Sequence, residues 1–169
     1  VRDAGLALLG LGMAVLVALA LWTGPLLLLL AGVGLFSSLA YTGKPFSLVS
    51  RGLGELVIGI NFGPVLVGAG YCVATRTLSP AALLVSLPLM FLVTAILYVN
   101  ELPDYAGDRA VGKRTLVVRL GRERAVYGYG LLMVLAYLSL VAGVVSSRVP
   151  PQALLALGTI PLAIAATLR

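Results

Sequence analysis

Residues 4 to 43 carry no charged side chain, and no other feature restricts the fold as much. The hydrocarbon core of a bilayer takes an α-helix of about 20 mainly apolar residues, so this run is long enough to cross twice. Thr23-Gly24-Pro25 breaks it into a first helix ending near Trp22 and a second from Leu26 to about Tyr41. Trp22 and Tyr41 suit the headgroup level at the helix ends, where amphipathic rings collect. The first run is longer than a signal-peptide core and has Asp3 beside Arg2 ahead of it, so it reads as a spanning helix.

Four further apolar runs follow: Leu56 to about Val73, Ala81 to about Val99, Ala125 to about Val145, and Gln152 to Leu168. The expected fold class is therefore all-α, a polytopic transmembrane helix bundle of about six helices within a single domain, residues 1–169. With 60% hydrophobic and 11% charged residues, the composition is not that of a soluble globule. The net charge of +6 does not point to nucleic acid, because the bases sit in short segments between apolar runs, where charge orients a chain in the bilayer. There is no His and one Cys, Cys72, which excludes an internal disulfide and any His or Cys metal cluster. Oxygen ligands remain open. The chain starts without Met and its last apolar run reaches the final residue but one, which reads as a piece of something longer.

Counting bases by side sets the orientation. Ten Lys and Arg fall on the side of the N-terminus, against Arg76 and Arg148 on the other. That asymmetry places the two wide polar loops, from Thr42 to Glu55 and from Asn100 to Arg124, in the cytoplasm of a cell-membrane protein, with both ends of the chain on the same side.

The second loop region holds four of the six acids and six of the twelve bases. Asn100, Asp104 and Asp108 are spaced by four, which on a helix sets them along one face with side chains roughly 5–6 Å apart. Two carboxylates so close are comfortable when one is protonated or a cation sits between them, and Mg²⁺ bridging carboxylates to a phosphate is an ordinary use of such a pair. The plainer alternative is a solvated helix end facing the bases that follow. Pro103 removes a helical hydrogen bond, so the fourth helix is expected to kink or restart there.

Lys44, Arg51, Lys113 and Arg114 would neutralise a polyanion beside that metal, or serve only as positive-inside charges. Glu55, four residues after Arg51, reads as its ion-pair partner. Asn61, inside the third apolar run, calls for an interhelical hydrogen bond or a substrate contact. Tyr41, Tyr98 and Tyr105 are either interface residues or ring faces that steady a cationic intermediate. Gly63-Pro64 fits bending or close packing, and Cys72 fits a small core residue.

Two segments go beyond these general patterns. Tyr41-Thr-Gly-Lys-Pro, Arg51-Gly-Leu-Gly-Glu55 and Phe62-Gly63, followed by Asn100-Glu-Leu-Pro-Asp104 and Asp108-Arg-Ala-Val-Gly-Lys-Arg-Thr-Leu-Val-Val-Arg-Leu-Gly121, resemble the UbiA superfamily of intramembrane prenyltransferases. The likeness is closest to its 1,4-dihydroxy-2-naphthoate polyprenyltransferase branch in menaquinone biosynthesis. It covers about Tyr41 to Gly121.

The resemblance implies a helical bundle of about nine helices, in which two aspartate-rich motifs hold Mg²⁺ and the diphosphate of a polyprenyl donor that is passed to an aromatic acceptor. Asp104 and Asp108 match the second motif as metal-holding and catalytic residues, with Asn100 in the preceding motif position. Lys44 or Arg51, in the loop led by Tyr41, and Lys113 or Arg114 match its diphosphate-contacting bases. The first motif would precede the helix that starts near Ala4, so the chain corresponds to an inner part of the bundle and is expected not to turn over by itself. Other acceptors within the superfamily are the nearest alternative. A phosphatidyltransferase would need a further Asp, Gly and Arg set just before the second motif, which residues 81–99 lack. A transporter or assembly subunit would leave Asp104 and Asp108 without a task.

Overall fold

The computed structural model describes residues 2–167. Leu168 and Arg169, the last residue of the expected sixth helix and one of the ten bases counted above, lie outside the described residues, as does Val1. Among the described residues there are helices and no strand.

Helices α1 (Arg2–Thr23) and α2 (Pro25–Thr42) are separated by Gly24 alone, whose φ of 111° lies in a region that L side chains rarely adopt. Pro25 then opens α2 at a position where its missing N–H is no loss. A 3₁₀ turn at Leu48–Arg51 leads into α3 (Gly54–Ile60), which passes through a π-helical turn at Asn61–Val65 into α4 (Leu66–Thr75). Gly54–Thr75 together make one span of membrane length. After Ser79, whose hydroxyl accepts the Ala81 N–H at 3.1 Å, comes α5 (Pro80–Ala110). The short α6 (Leu116–Leu120), then α7 (Arg122–Val145), a 3₁₀ stretch (Pro151–Thr159) and α8 (Ile160–Thr167) complete the described chain.

Among the described residues, five helices are long and apolar enough to cross a membrane. The sixth apolar run forms the shorter Pro151–Thr167 stretch, and its first half is wound as 3₁₀ helix. At about 2.0 Å per residue for that half and about 1.5 Å for the α-helical half, it extends about 30 Å, close to the hydrocarbon thickness. On α1, Leu8, Leu9 and Leu21 are all exposed, the pattern of a helix whose solvent is lipid.

Pro103 neither ends nor restarts the fourth helix: α5 runs unbroken through Pro88 and Pro103. Val99, whose carbonyl lies one turn before the Pro103 ring, and Pro103 itself are both exposed. Asn100, Asp104 and Asp108 consequently share one continuous helix.

Close approach of backbones holds the middle of the bundle. A Cβ on Gly63 would stand 2.6 Å from the Met90 Cβ, and one on Gly59 would meet the Thr94 hydroxyl and stand 3.2 Å from the Met90 carbonyl. Glycines four residues apart thus seat α3 and the π turn directly on α5, the small-xxx-small packing of membrane helices. Close packing is what Gly63-Pro64 provides. Further along α5, Tyr98 fits against Gly128 of α7 and is fully buried with Val117 and Ala125. Cys72 is a core residue, buried with Ala20 and Leu27.

The loops sort into two ends. Arg76 lies over the Trp22 ring at 5.0 Å, which joins the α1–α2 turn to the α4–α5 turn. At the opposite end the two wide polar loops touch each other, as the next section describes. Both therefore lie on one side of the bundle.

Candidate active site

The acidic end of α5 meets two basic loops. Asp104 is exposed and takes no partner among the described residues. Asp108, one turn on, is half-buried, and its Oδ1 accepts from the Lys113 ammonium at 2.9 Å. Val111 and Gly112 turn the chain after α5, Gly112 at φ 73°, and the Lys113 N–H returns to the Asp108 carbonyl at 2.9 Å. That turn is what brings the ammonium back onto the carboxylate. Asn100, one turn before Asp104, is exposed.

The first loop docks on the second. The Arg114 N–H donates to the Ser50 carbonyl at 3.1 Å. Arg119 donates from Nε to the Arg114 carbonyl at 3.1 Å and from Nη2 to the Arg51 carbonyl, tying the 3₁₀ turn to α6. Gly52 makes this fit possible: its φ is 67°, and a Cβ there would stand 2.8 Å from the Arg114 carbonyl oxygen and 2.9 Å from Arg119 Cδ. Arg51 folds back within its own loop, donating from Nη2 to the Pro45 carbonyl at 2.7 Å. Lys44, Arg51 and Arg114 are exposed. Lys113 is half-buried against Asp108.

Glu55 does not pair with Arg51. Arg51 belongs to the 3₁₀ turn, and Gly52 reverses the chain before α3 begins at Gly54, so the spacing of four crosses a break where the rule for helix neighbours does not hold. The Glu55 side chain points inward, 2% exposed, and its Oε1 accepts the Leu116 N–H at 2.6 Å. Beside it lies Glu101 of α5, 8% exposed, near enough for its carboxyl group to interact electrostatically with those of Glu55 and Asp108 and with the Lys113 ammonium. Glu55 Oε2, Glu101 Oε2 and the Tyr98 hydroxyl are all buried without a partner. Sequence reasoning missed this cluster, since nothing in the spacing joins Glu55 to a residue 61 positions away.

Tyr41, half-buried at the end of α2, is within electrostatic reach of both glutamates. One helical turn below it, a cleft of about 260 Å³ opens between α2 and α3, lined by Ser37, Ser38, Tyr41 and Asn61 among others. Asn61 makes an interhelical hydrogen bond, accepting from the Ser37 hydroxyl at 2.9 Å, and donates to the Val57 carbonyl at 2.7 Å. A second cleft, of about 460 Å³, runs between α5, α7 and α8 from Val99 and Pro103 past Arg122 to Tyr129.

Asp104 and Asp108 can supply two carboxylates to a hard cation that takes its other ligands from phosphate oxygens and water, the usual way Mg²⁺ is held. Among the described residues no group of three or more acidic, His or Cys side chains converges as a self-sufficient metal cage. Two carboxylates would leave most of the coordination sites of such a cation to other ligands.

A family model described as the UbiA prenyltransferase family matches residues 1–169, the whole chain. The chain belongs to that family. Individual UbiA relatives agree with the match. It is 34% identical over 143 residues to the 2-carboxy-1,4-naphthoquinone phytyltransferase of Synechocystis sp., covering 85% of this chain and 46% of that protein. It is 30% identical over 125 residues to the 1,4-dihydroxy-2-naphthoate octaprenyltransferase of Bacillus subtilis, covering 74% and 40%. With the UbiA prenyltransferase domain-containing protein 1 of Xenopus tropicalis the identity is 38% over 131 residues, covering 77% and 37%. The UbiA chain thus spans less than half the length of these curated relatives. No solved structure matches it. Family membership and five spanning helices together make it a multi-pass membrane protein.

Proposed function

We propose that this chain carries the diphosphate-binding half of an enzyme that transfers a polyprenyl group from its diphosphate to an aromatic acceptor, with 1,4-dihydroxy-2-naphthoate as the acceptor. The observation that carries this reading is the pair Asp104 and Asp108, one turn apart on α5, with Asp108 held to Lys113 in a basic loop that is itself hydrogen-bonded to the loop of Ser50 and Arg51. The names of the Synechocystis and Bacillus relatives favour a naphthoate-type acceptor.

In this reading Asp104 and Asp108 hold Mg²⁺ jointly with the donor diphosphate. Bound there, the metal supplies positive charge against the negative charge that develops on the leaving diphosphate. Lys44, Arg51, Lys113 and Arg114 add to that field from both loops, and such preorganised charge acts without any proton transfer. Asn100 contacts the diphosphate from the turn before Asp104. Tyr41 and Asn61 line the cleft between α2 and α3, on the path by which an acceptor ring would approach. The other aspartate-rich motif comes from outside these residues, so the activity is proposed for the longer protein and residues 1–169 alone are expected to be inactive. The excess of bases on the loop side supports a cytoplasmic position for the site.

The test is Asp104→Asn in the longer protein, followed by Mg²⁺-dependent transfer of a radiolabelled polyprenyl group. We expect at least about a hundredfold loss of turnover, the scale set by removing one preorganised electrostatic group. Unchanged transfer in a variant that reaches the membrane would refute the assignment.

A further inference from the structure

We infer that Glu55 is a positioning residue: its buried carboxylate, reaching from α3, fastens the segment that carries Lys113 and Arg114 in place for the diphosphate. The inference rests on the function proposed above and adds to it a residue that does not touch substrate.

The segment from Val111 to Thr115 has no regular structure of its own. It is held at three points. Lys113 pairs with Asp108 at its start, and the Arg114 N–H is taken by the Ser50 carbonyl in its middle. At its end, α6 begins with an orphan N–H at Leu116, which the Glu55 Oε1 accepts at 2.6 Å. Thr115, 1% exposed, caps the same helix by accepting the Val118 N–H at 3.3 Å. The local cap secures α6 to its own preceding residue. Glu55 secures it to a different transmembrane helix. Without that bond, the bases at 113 and 114 are tied to the bundle through Asp108, through contacts made by the first loop and, beyond Leu116, through the buried Val117 side chain.

The bond is short, is made by a side chain 2% exposed, and has a carboxyl acceptor, features that place it among the stronger hydrogen bonds a loop can have. Among the described residues no other side chain accepts this N–H. Glu101 faces Glu55 from α5 without a partner for its Oε2. A glutamine at 55 would keep an acceptor for Leu116 and gain a donor for Glu101, whereas alanine would keep neither.

The experiment uses the longer protein with Glu55→Ala, Glu55→Gln, Lys113→Ala and the Glu55→Ala/Lys113→Ala pair. Peptide-level hydrogen exchange across residues 111–121 is followed alongside KM for the polyprenyl diphosphate and kcat. For Glu55→Ala we expect faster exchange in 111–121, about a tenfold rise in KM for the diphosphate with a smaller change in kcat, and restoration of both by Glu55→Gln. Adding Lys113→Ala to Glu55→Ala should raise KM by less than the product of the two single effects, because part of the Glu55 effect runs through the Lys113 ammonium. Unchanged exchange in 111–121, or effects of the two substitutions that multiply in full, would overturn the inference. The exchange measurement needs no turnover, so an inactive wild-type protein would refute the proposed function while leaving the Glu55 contact testable.

Discussion

Gly128→Ala offers a sharp test of the packing that seats α7 on the acidic helix. The new Cβ would stand 2.7 Å from Tyr98 Cζ and 3.4 Å from Cε1, with the hydroxyl closer still. Carbon atoms pack best at about 3.5–4.0 Å, so the overlap at Cζ is about 1 Å. The ring has no room to retreat, being fully buried with Val117 and Ala125. Overpacking of this kind destabilises by about 1–3 kcal/mol. Tyr98→Phe alone should be neutral or stabilising by about 1 kcal/mol, since the hydroxyl it deletes is buried without a partner. In the double variant the hydroxyl overlap disappears and the Cζ overlap stays, so the rescue is partial, with a coupling of about 1 kcal/mol. Reversible unfolding in mixed detergent micelles, read for all four proteins, measures it. Stability of Gly128→Ala equal to wild type, or single effects that add without coupling, would refute the reasoning.

Two other outcomes follow from the loop geometry. Gly52→Ala places a Cβ against Arg114 and Arg119 at a φ of 67°, and should cost about 1–3 kcal/mol while speeding hydrogen exchange at both 48–52 and 111–121; exchange altered at neither segment would count against the docking. In membranes, a thiol reagent that cannot cross the bilayer should label Lys44→Cys and Val111→Cys from the same face and Arg148→Cys from the other, and labelling of the first two from opposite faces would break the arrangement of helices described here.

The helices were legible because the signal for a membrane span is additive. Some twenty apolar residues outweigh any one proline, and α5 continues as one helix past Pro103, where a restart was one of the two expected outcomes. The pairing of the polar loops was legible only as a shared side, from the distribution of charge. The bonds that join them run through backbone groups of Ser50, Arg51 and Arg114, which no side-chain pattern records. Glu55 shows where spacing rules stop: they presume one continuous helix, and a left-handed glycine at 52 had already redirected the chain. Asn61 was left open between two roles, and its bond to Ser37 supplies the interhelical one.

The length of α5 bears on how a lipid pyrophosphate would be met. At about 1.5 Å per residue its 31 residues extend about 46 Å, some 16 Å more than the oily interior they cross. With the Pro80 end at the opposite face of that interior, the surplus would carry the aspartate end into the layer where lipid headgroups are still wetted. A donor anchored by its tail would already keep its charged end at that depth, so capture would require sideways diffusion and no transfer of the anion into oil.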